Sequence, residues 1–299
     1  MRIKRRYWIP VVSIAVLWAA KHFLLDTAAE PTGAFVIDLG ALHRAATAGG
    51  ALPDRIEVER VGDFAFPRNF VIAGEGFRMH PMVLLSHRVV WPDRSIVIDT
   101  AMPPAAAKKM PGGSVDEAAY ARVQAAIKKA DAIVFTHEHP DHVGGAAHAA
   151  DFAVLASEIL MTREQLTGPK LDRSDFPPGG LDSLTPIDYA GLFKIAAGVV
   201  LQKAPGHSTG SQLIYVELAS GTRFLFVGDI AWSLDNIREQ KGRPGVAHLL
   251  MKEDRGAVAA QLQAFGQLPP DVHVIAAHDP VALESDLKVG LYHQGFTGL

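Results

Sequence analysis

Thr136-His137-Glu138-His139-Pro140-Asp141-His142 places three histidines and an aspartate, all metal-capable, within six residues. The run follows the apolar stretch Ala132 to Phe135, which reads as a short buried strand. In an extended segment, residues two apart point to the same side. His137 and His139 can therefore converge on one ion, while Glu138 alternates away and reads as structural. Pro140 turns the chain so that Asp141 and His142 face a second position, and Gly144-Gly145 permits close backbone approach as a helix begins. With 13 His in 299 residues, such a cluster has chance odds on the order of one in a thousand. The chain must fold so that a strand end opens on a cleft.

There is no cysteine. Disulfides, thiolate ligands, cysteine nucleophiles and acylated-cysteine anchors are excluded, so any metal is held by imidazole and carboxylate. A formal net charge of -3 shows no basic excess and argues against a nucleic-acid partner.

Further ligands stand at strand ends. His207 lies in the loop Ala204-Pro205-Gly206-His207-Ser208-Thr209-Gly210-Ser211, before a strand. Asp229 follows Phe224-Leu225-Phe226-Val227-Gly228, and His278 follows Val274-Ile275-Ala276-Ala277. Any one of them alone reads as structural; together they are what a cleft between two sheets requires. Ser208 and Thr209 fix the turn at His207, since no base stands beside them to make a nucleophile.

Residues 1–25 carry Arg2, Lys4, Arg5 and Arg6 before an apolar run, the pattern of a secretory signal or an uncleaved membrane anchor, with Thr27-Ala28-Ala29 as a cleavage site. Either reading puts the catalytic part in the periplasm or another extracytoplasmic space. Residues 26–54 read as a linker and N-terminal extension, and residues 55–299 as one domain. Strands are expected over 55–61, 82–91, 95–99, 132–135, 213–218, 223–227 and 272–276. Helices are expected over 115–130, with Ser114 as N-cap, and over 255–265. Strands come in runs with helices between them, which predicts a mixed sheet in each half, packed together with helices outside. Leu160 to Phe193, rich in Pro and Gly, is expected to wall the pocket as a mobile stretch, and His80 reads as a surface histidine, with a place at the cleft mouth as the alternative.

The chain thus resembles the metallo-β-lactamase superfamily over roughly residues 55 to 280. The resemblance implies an α/β fold of α+β type, a four-layer αββα sandwich with two zinc ions at one edge, iron or manganese being alternatives. His137, His139 and His207 would hold the first ion, Asp141, His142 and His278 the second, and Asp229 would bridge them. Asp99 matches the aspartate that steadies the ligand loop, and reads equally as a plain hairpin-end carboxylate. A bridging Asp229 speaks against β-lactam hydrolysis. The long stretch before the motif, the compact spacing after it and the His278-Asp279 pair resemble the quorum-quenching lactonase branch. That branch usually has Tyr three residues after the bridging Asp, touching the substrate; here Trp232 stands there, with one N–H to donate and no acidic hydroxyl.

A water bridging two zinc ions has its pKa lowered to about 7 from nearly 16. The expected reaction is attack of that hydroxide on a small-molecule lactone or ester, with Asp141 and Asp229 catalytic and Asp141 handling the proton. A thioesterase like glyoxalase II, an iron-bound thiol dioxygenase and a membrane-tethered, non-catalytic metal-binding protein are the alternatives.

Overall fold

The computed structural model describes residues 8–298; Arg2, Lys4, Arg5 and Arg6 lie outside them. In chain order the strands are β1 (Arg55–Pro67), β2 (Met79–Val90), β3 (Ser95–Ile98), β4 (Ser114–Val115), β5 (Ala132–Val134) and β6 (Ile159–Leu160). There follow β7 (Leu192–Ala196), β8 (Val199–Lys203), β9 (Gln212–Glu217), β10 (Arg223–Gly228), β11 (Val272–Ala276) and β12 (His293–Gln294). One sheet has the order β12-β1-β2-β3-β5-β6, with β4 on β1, and the other β11-β10-β9-β8-β7. Both are mixed: β3, β5 and β6 pair in parallel, as do β10 and β11, while the β1-β2 and β7-β8-β9-β10 pairings are antiparallel.

Alternation along the strands builds the layers. On β9, Ile214 and Val216 point between the sheets, where they meet Ile56, Val58, Ile98 and Val134. Leu213 and Tyr215 point the other way, onto Val258, Leu262 and Phe265 of the helix Arg255–Gly266. On the far side, Val97 and Ile133 pack against Val123, Ala126 and Ile127 of the helix Glu117–Ile127. Helix, sheet, sheet and helix stack as four layers, the αββα sandwich expected.

Several local expectations are corrected. Gly62-Asp63 has turn composition, but a bulge between Arg60 and Gly62 lets β1 run on to Pro67. Ser114 is drawn into β4 beside Gly62-Asp63, so Asp116 caps the following helix instead, accepting from Ala119 N at 2.9 Å. The stretch read as linker and extension contains the helix Leu39–Thr47, whose Leu42 and Ala46 are buried on the second sheet. The apolar N-terminal segment forms the helix Trp8–Lys21, followed by a π-helical turn, His22–Asp26. No helix among the described residues is long and apolar enough to cross a membrane.

The expected close approach at Gly144-Gly145 is present. A Cβ on Gly145 would stand 2.1 Å from Thr100 O, so the helix Pro140–Ala147 that carries Asp141 and His142 sits directly on the loop after β3. Gly145→Ala must push the two apart. It is expected to cost about 1–3 kcal/mol, as overpacking does, and to lower metal affinity as well. Unfolding and metal titration of the variant test this, and unchanged values of both would contradict it.

His87, on β2, is buried edge-on against Phe226, ring centroids 4.9 Å apart. Burial pushes its imidazole down to about 4. A folded-state value below the ordinary 6.5 means stability present above that pH and lost as pH falls through the interval to about 4. His87→Phe should therefore lose less stability than the parent chain over this interval in stepwise denaturant titrations. Parallel losses would contradict it.

Candidate metal centre

Seven side chains from four segments, each following a strand, converge at one edge of the sandwich. His137, His139, His207 and Asp229 form one group and Asp141, His142, Asp229 and His278 another; within each, the ligand atoms lie within 4.8 Å of one another. Asp229 belongs to both. Asp141 is partly exposed and the other six are buried. The structure thus brings together every residue that the sequence singled out as a ligand.

Three of the facing ligand atoms are not paired as donor and acceptor. His278 Nε2 is 2.9 Å and His142 Nε2 3.2 Å from Asp229 Oδ1. Yet His137 Nε2, His142 Nε2 and Asp229 Oδ1 are buried with no hydrogen-bond partner among the described residues. His207 Nε2 stands 3.0 Å from His139 Nδ1. Buried polar atoms are normally paired, and a cluster that converges and stays unpaired is the arrangement of ligand atoms around cations. A cavity of about 20 Å³, bounded by Asp99, Thr136, Asp141, His142 and His278, adjoins the second group and has room for one water or small ion. Imidazole and carboxylate donors without sulfur suit zinc, iron or manganese.

The other ring nitrogens are held from behind. Asp99, in the left-handed region at φ 53°, accepts from Thr136 N, Thr136 Oγ1 and His142 Nδ1, each at 2.8 Å. It therefore steadies the ligand loop and fixes the His142 tautomer at once. His278 Nδ1 donates to Val83 O at 2.8 Å. His207 Nδ1 is 2.9 Å from Glu253 Oε2. Arg243 Nη2 lies 3.0 Å from the same nitrogen, but a histidine that offers Nε2 to a metal carries its proton on Nδ1, so the carboxylate is its partner. Arg243 also donates to Glu253 and, at 2.7 Å, to Asp229 O.

The electrostatics follow from burial and crowding. Burial, reinforced by neighbouring imidazoles, holds His137 and His139 well below the ordinary histidine range, neutral and with a lone pair to offer. Burial alone would raise Asp229, but His278, His142 and His137 outweigh it and keep the carboxylate ionised. Burial opposes charge on His142 too, yet Asp99, Asp141 and Asp229 push it well above its usual value.

Glu138 faces away from the ligands, as its alternation implies: Ser208 Oγ donates to its Oε2 at 2.8 Å. A Cβ on Gly168 or Gly210 would collide with it, at 2.3 and 2.5 Å. Gln165 donates to Phe135 O and Gly210 O at 3.0 and 3.1 Å, so the expected pocket wall is pinned to the ligand loops. His80 is half-buried rather than a surface histidine, its Nδ1 3.5 Å from Arg68. Trp232 is buried between Phe66, stacked at 5.8 Å, and the Arg243 guanidinium at 4.7 Å. Its Nε1 has no partner among the described residues.

Three residues went unnoticed in the sequence. Arg243 and Glu253 are charged residues that read as surface until the fold buries them. Lys170, in the stretch expected to wall the pocket, is the third. Burial pushes its ammonium below the ordinary lysine range, against the pull of Asp229 and Asp141.

A two-sheet sandwich with a paired His/Asp cluster at its edge defines a class of metal-binding α/β proteins. The chain belongs to the metallo-beta-lactamase superfamily, whose sequence model matches residues 89–278, more than half of it. It is 31% identical over 159 residues to a hydroxyacylglutathione hydrolase of Aeromonas hydrophila subsp. hydrophila, covering 53% of this chain and 51% of that one. The chain spans about half the length of the curated relatives it matches. Among solved structures it is similar to a quorum-quenching N-acyl homoserine lactone lactonase, TM-score 0.61 at 16% identity, covering 79% of this chain and 97% of that one. A dizinc quorum-quenching lactonase gives a TM-score of 0.56 at 15% identity, covering 75% and 87%. At these identities the structural likeness concerns the fold.

Proposed function

We propose that the protein is a dinuclear, zinc-dependent hydrolase of a lactone or related carboxylic ester. The observation that carries this reading is Asp229 standing in both ligand groups, with its Oδ1 buried and unpaired. His137, His139 and His207 would hold one ion, Asp141, His142 and His278 the other, and Asp229 both. Bound there, the ions supply an acidified water and an electrophile for a carbonyl. Asp141, the most exposed of the ligands, takes and returns the proton. Asp99, Glu253 and Val83 O fix the tautomers of His142, His207 and His278. Trp232 Nε1, a buried donor without a partner among the described residues, is assigned to the substrate, and Lys170 sets a positive charge beside the carboxylates. The fold shared with lactonases supports the ester and lactone class, while the bridging carboxylate suits an ester, lactone or thioester carbonyl alike.

A thioester is the second reading, favoured by the hydroxyacylglutathione hydrolase relative. We also place the site outside the cytoplasm, on the basic run and apolar segment at the N-terminus.

A hydrolysis screen of zinc-loaded protein on acyl-homoserine lactones, aryl esters and acyl thioesters, beside a His139→Ala control, tests this. Turnover of lactones or esters that the control lacks is expected. Turnover of thioesters alone would favour the second reading, and none on any class would sink both.

A further inference from the structure

Residues 25–32 are fastened to the body of the protein. The Leu25 carbonyl accepts from Gly74 N at 3.0 Å and from the buried Asn69 Nδ2 at 3.1 Å. The Thr27 carbonyl accepts from Arg255. Thr32 N donates to Gly256 O at 3.1 Å, and a Cβ on Gly256 would stand 2.4 Å from the Thr32 side chain. Arg255 Nε in turn donates to Arg243 O at 3.1 Å. Arg243 is the residue that holds Glu253 and the Asp229 carbonyl. Two side chains therefore connect the root of the N-terminal segment to the metal centre. Cleavage after Ala29 would remove the Leu25 and Thr27 carbonyls that hold Asn69 and Arg255.

The helix before this root is largely exposed where its side chains are described. From residue 13 to residue 20 no side chain is buried. Ile14, Val16, Leu17 and Trp18 are 67%, 60%, 70% and 66% exposed. Successive helical residues point about 100° apart, so these four span most of the circumference, and Ala15 and Ala19 fill the remaining arc with small apolar side chains. A helix that docks on a protein surface has an apolar stripe and a polar back, whereas one apolar all round is buried in a protein core or in hydrocarbon, and this one is in no core of the described residues. Exposed Leu24 and Leu250 extend the apolar surface around the root, since the helix Gly245–Met251 packs on the turn His22–Asp26. In the sequence, Arg2, Lys4, Arg5 and Arg6 precede the helix, the charge that anionic headgroups attract.

We propose that the N-terminal segment is a retained lipid anchor: the helix Trp8–Lys21 inserts into a bilayer, and its root, residues 25–32, braces the Arg255–Arg243 chain behind the metal site. Its 14 residues rise about 21 Å at 1.5 Å per residue, less than the ~30 Å of a hydrocarbon core. The proposal is insertion and not crossing.

Flotation of the full chain with phosphatidylethanolamine–phosphatidylglycerol vesicles tests the anchor. The full chain should rise with the lipid. A Leu17→Asp/Trp18→Asp variant should partition at least about tenfold less, with turnover of a soluble ester unchanged. A full chain that stays at the bottom, or a variant that floats equally, overturns the proposal. So does a lipid-free oligomer that buries the helix. For the root, the mass of the chain recovered from an exporting bacterial host should include Leu25. A chain beginning at Glu30 should bind zinc at least about tenfold more weakly than one beginning at His22, as when a ligand's supporting contacts are lost. A natural product that begins at Glu30 with full zinc occupancy overturns that half. Flotation and mass do not depend on hydrolysis, so their failure and that of the hydrolase reading are separable.

Discussion

Asp229→Ala is expected to lower kcat/KM on any substrate of the protein by about a thousandfold or more, with the metal-free fold retained. The magnitude follows from several kcal/mol of transition-state stabilisation by two cations, both of which depend on this carboxylate. Asp229 closes β10 and stands within 4.8 Å of the ligand atoms of five histidines and Asp141 in its two groups. Without it each group retains three residues, so ions can still bind, but not at a shared carboxylate. Metal analysis should show binding weakened at both positions. A loss confined to one ion, or activity within tenfold of the parent, would contradict the bridging role.

Glu253→Gln is expected to be the most damaging change away from the ligands. Glu253 and Arg243 are buried together, and burial alone would raise the carboxyl. Arg243 and His207 outweigh it and hold the group below the ordinary range. Neutralising one partner of a buried pair leaves the other charge stranded, at about 3–5 kcal/mol. Loss of the acceptor on His207 Nδ1 should also weaken metal binding by about 10–100-fold. The two effects separate in a double variant, Arg243→Met/Glu253→Gln. Removing both charges should recover most of the stability, but not the metal affinity. Recovery of both would reduce Glu253 to a structural residue, and an unaltered affinity in the single variant would rule out its hold on His207. Because the carboxyl is depressed in the folded state, its contribution is present above the ordinary 4.5 and is lost as pH falls below it.

The ligand set was legible because each member ends an apolar strand, and strands of a sandwich deliver their ends to one edge. His137 and His139 came from alternation, and His207, Asp229 and His278 from position. The long-range partners were not legible. Glu253 lies 46 residues from His207 and Arg243 36, and nothing in their neighbours separates a buried charge from a solvated one. Ser114 misled for a related reason: its local signal is that of a cap, but pairing with Gly62-Asp63 outweighed it and passed the cap to Asp116. Asp99 was equally readable as a hairpin-end carboxylate, and only its three hydrogen bonds reveal its hold on the ligand loop.

The central claim is a bridged pair of cations that cleaves a carboxylic ester or lactone. Its most direct test is to titrate zinc into metal-free full-length protein while following hydrolysis of a lactone it accepts. Activity that rises to a plateau at two zinc ions per chain, and that Asp229→Ala abolishes, is the expected result. Saturation at one ion per chain, or full occupancy by a single iron with oxygen consumed and no ester cleaved, would contradict it.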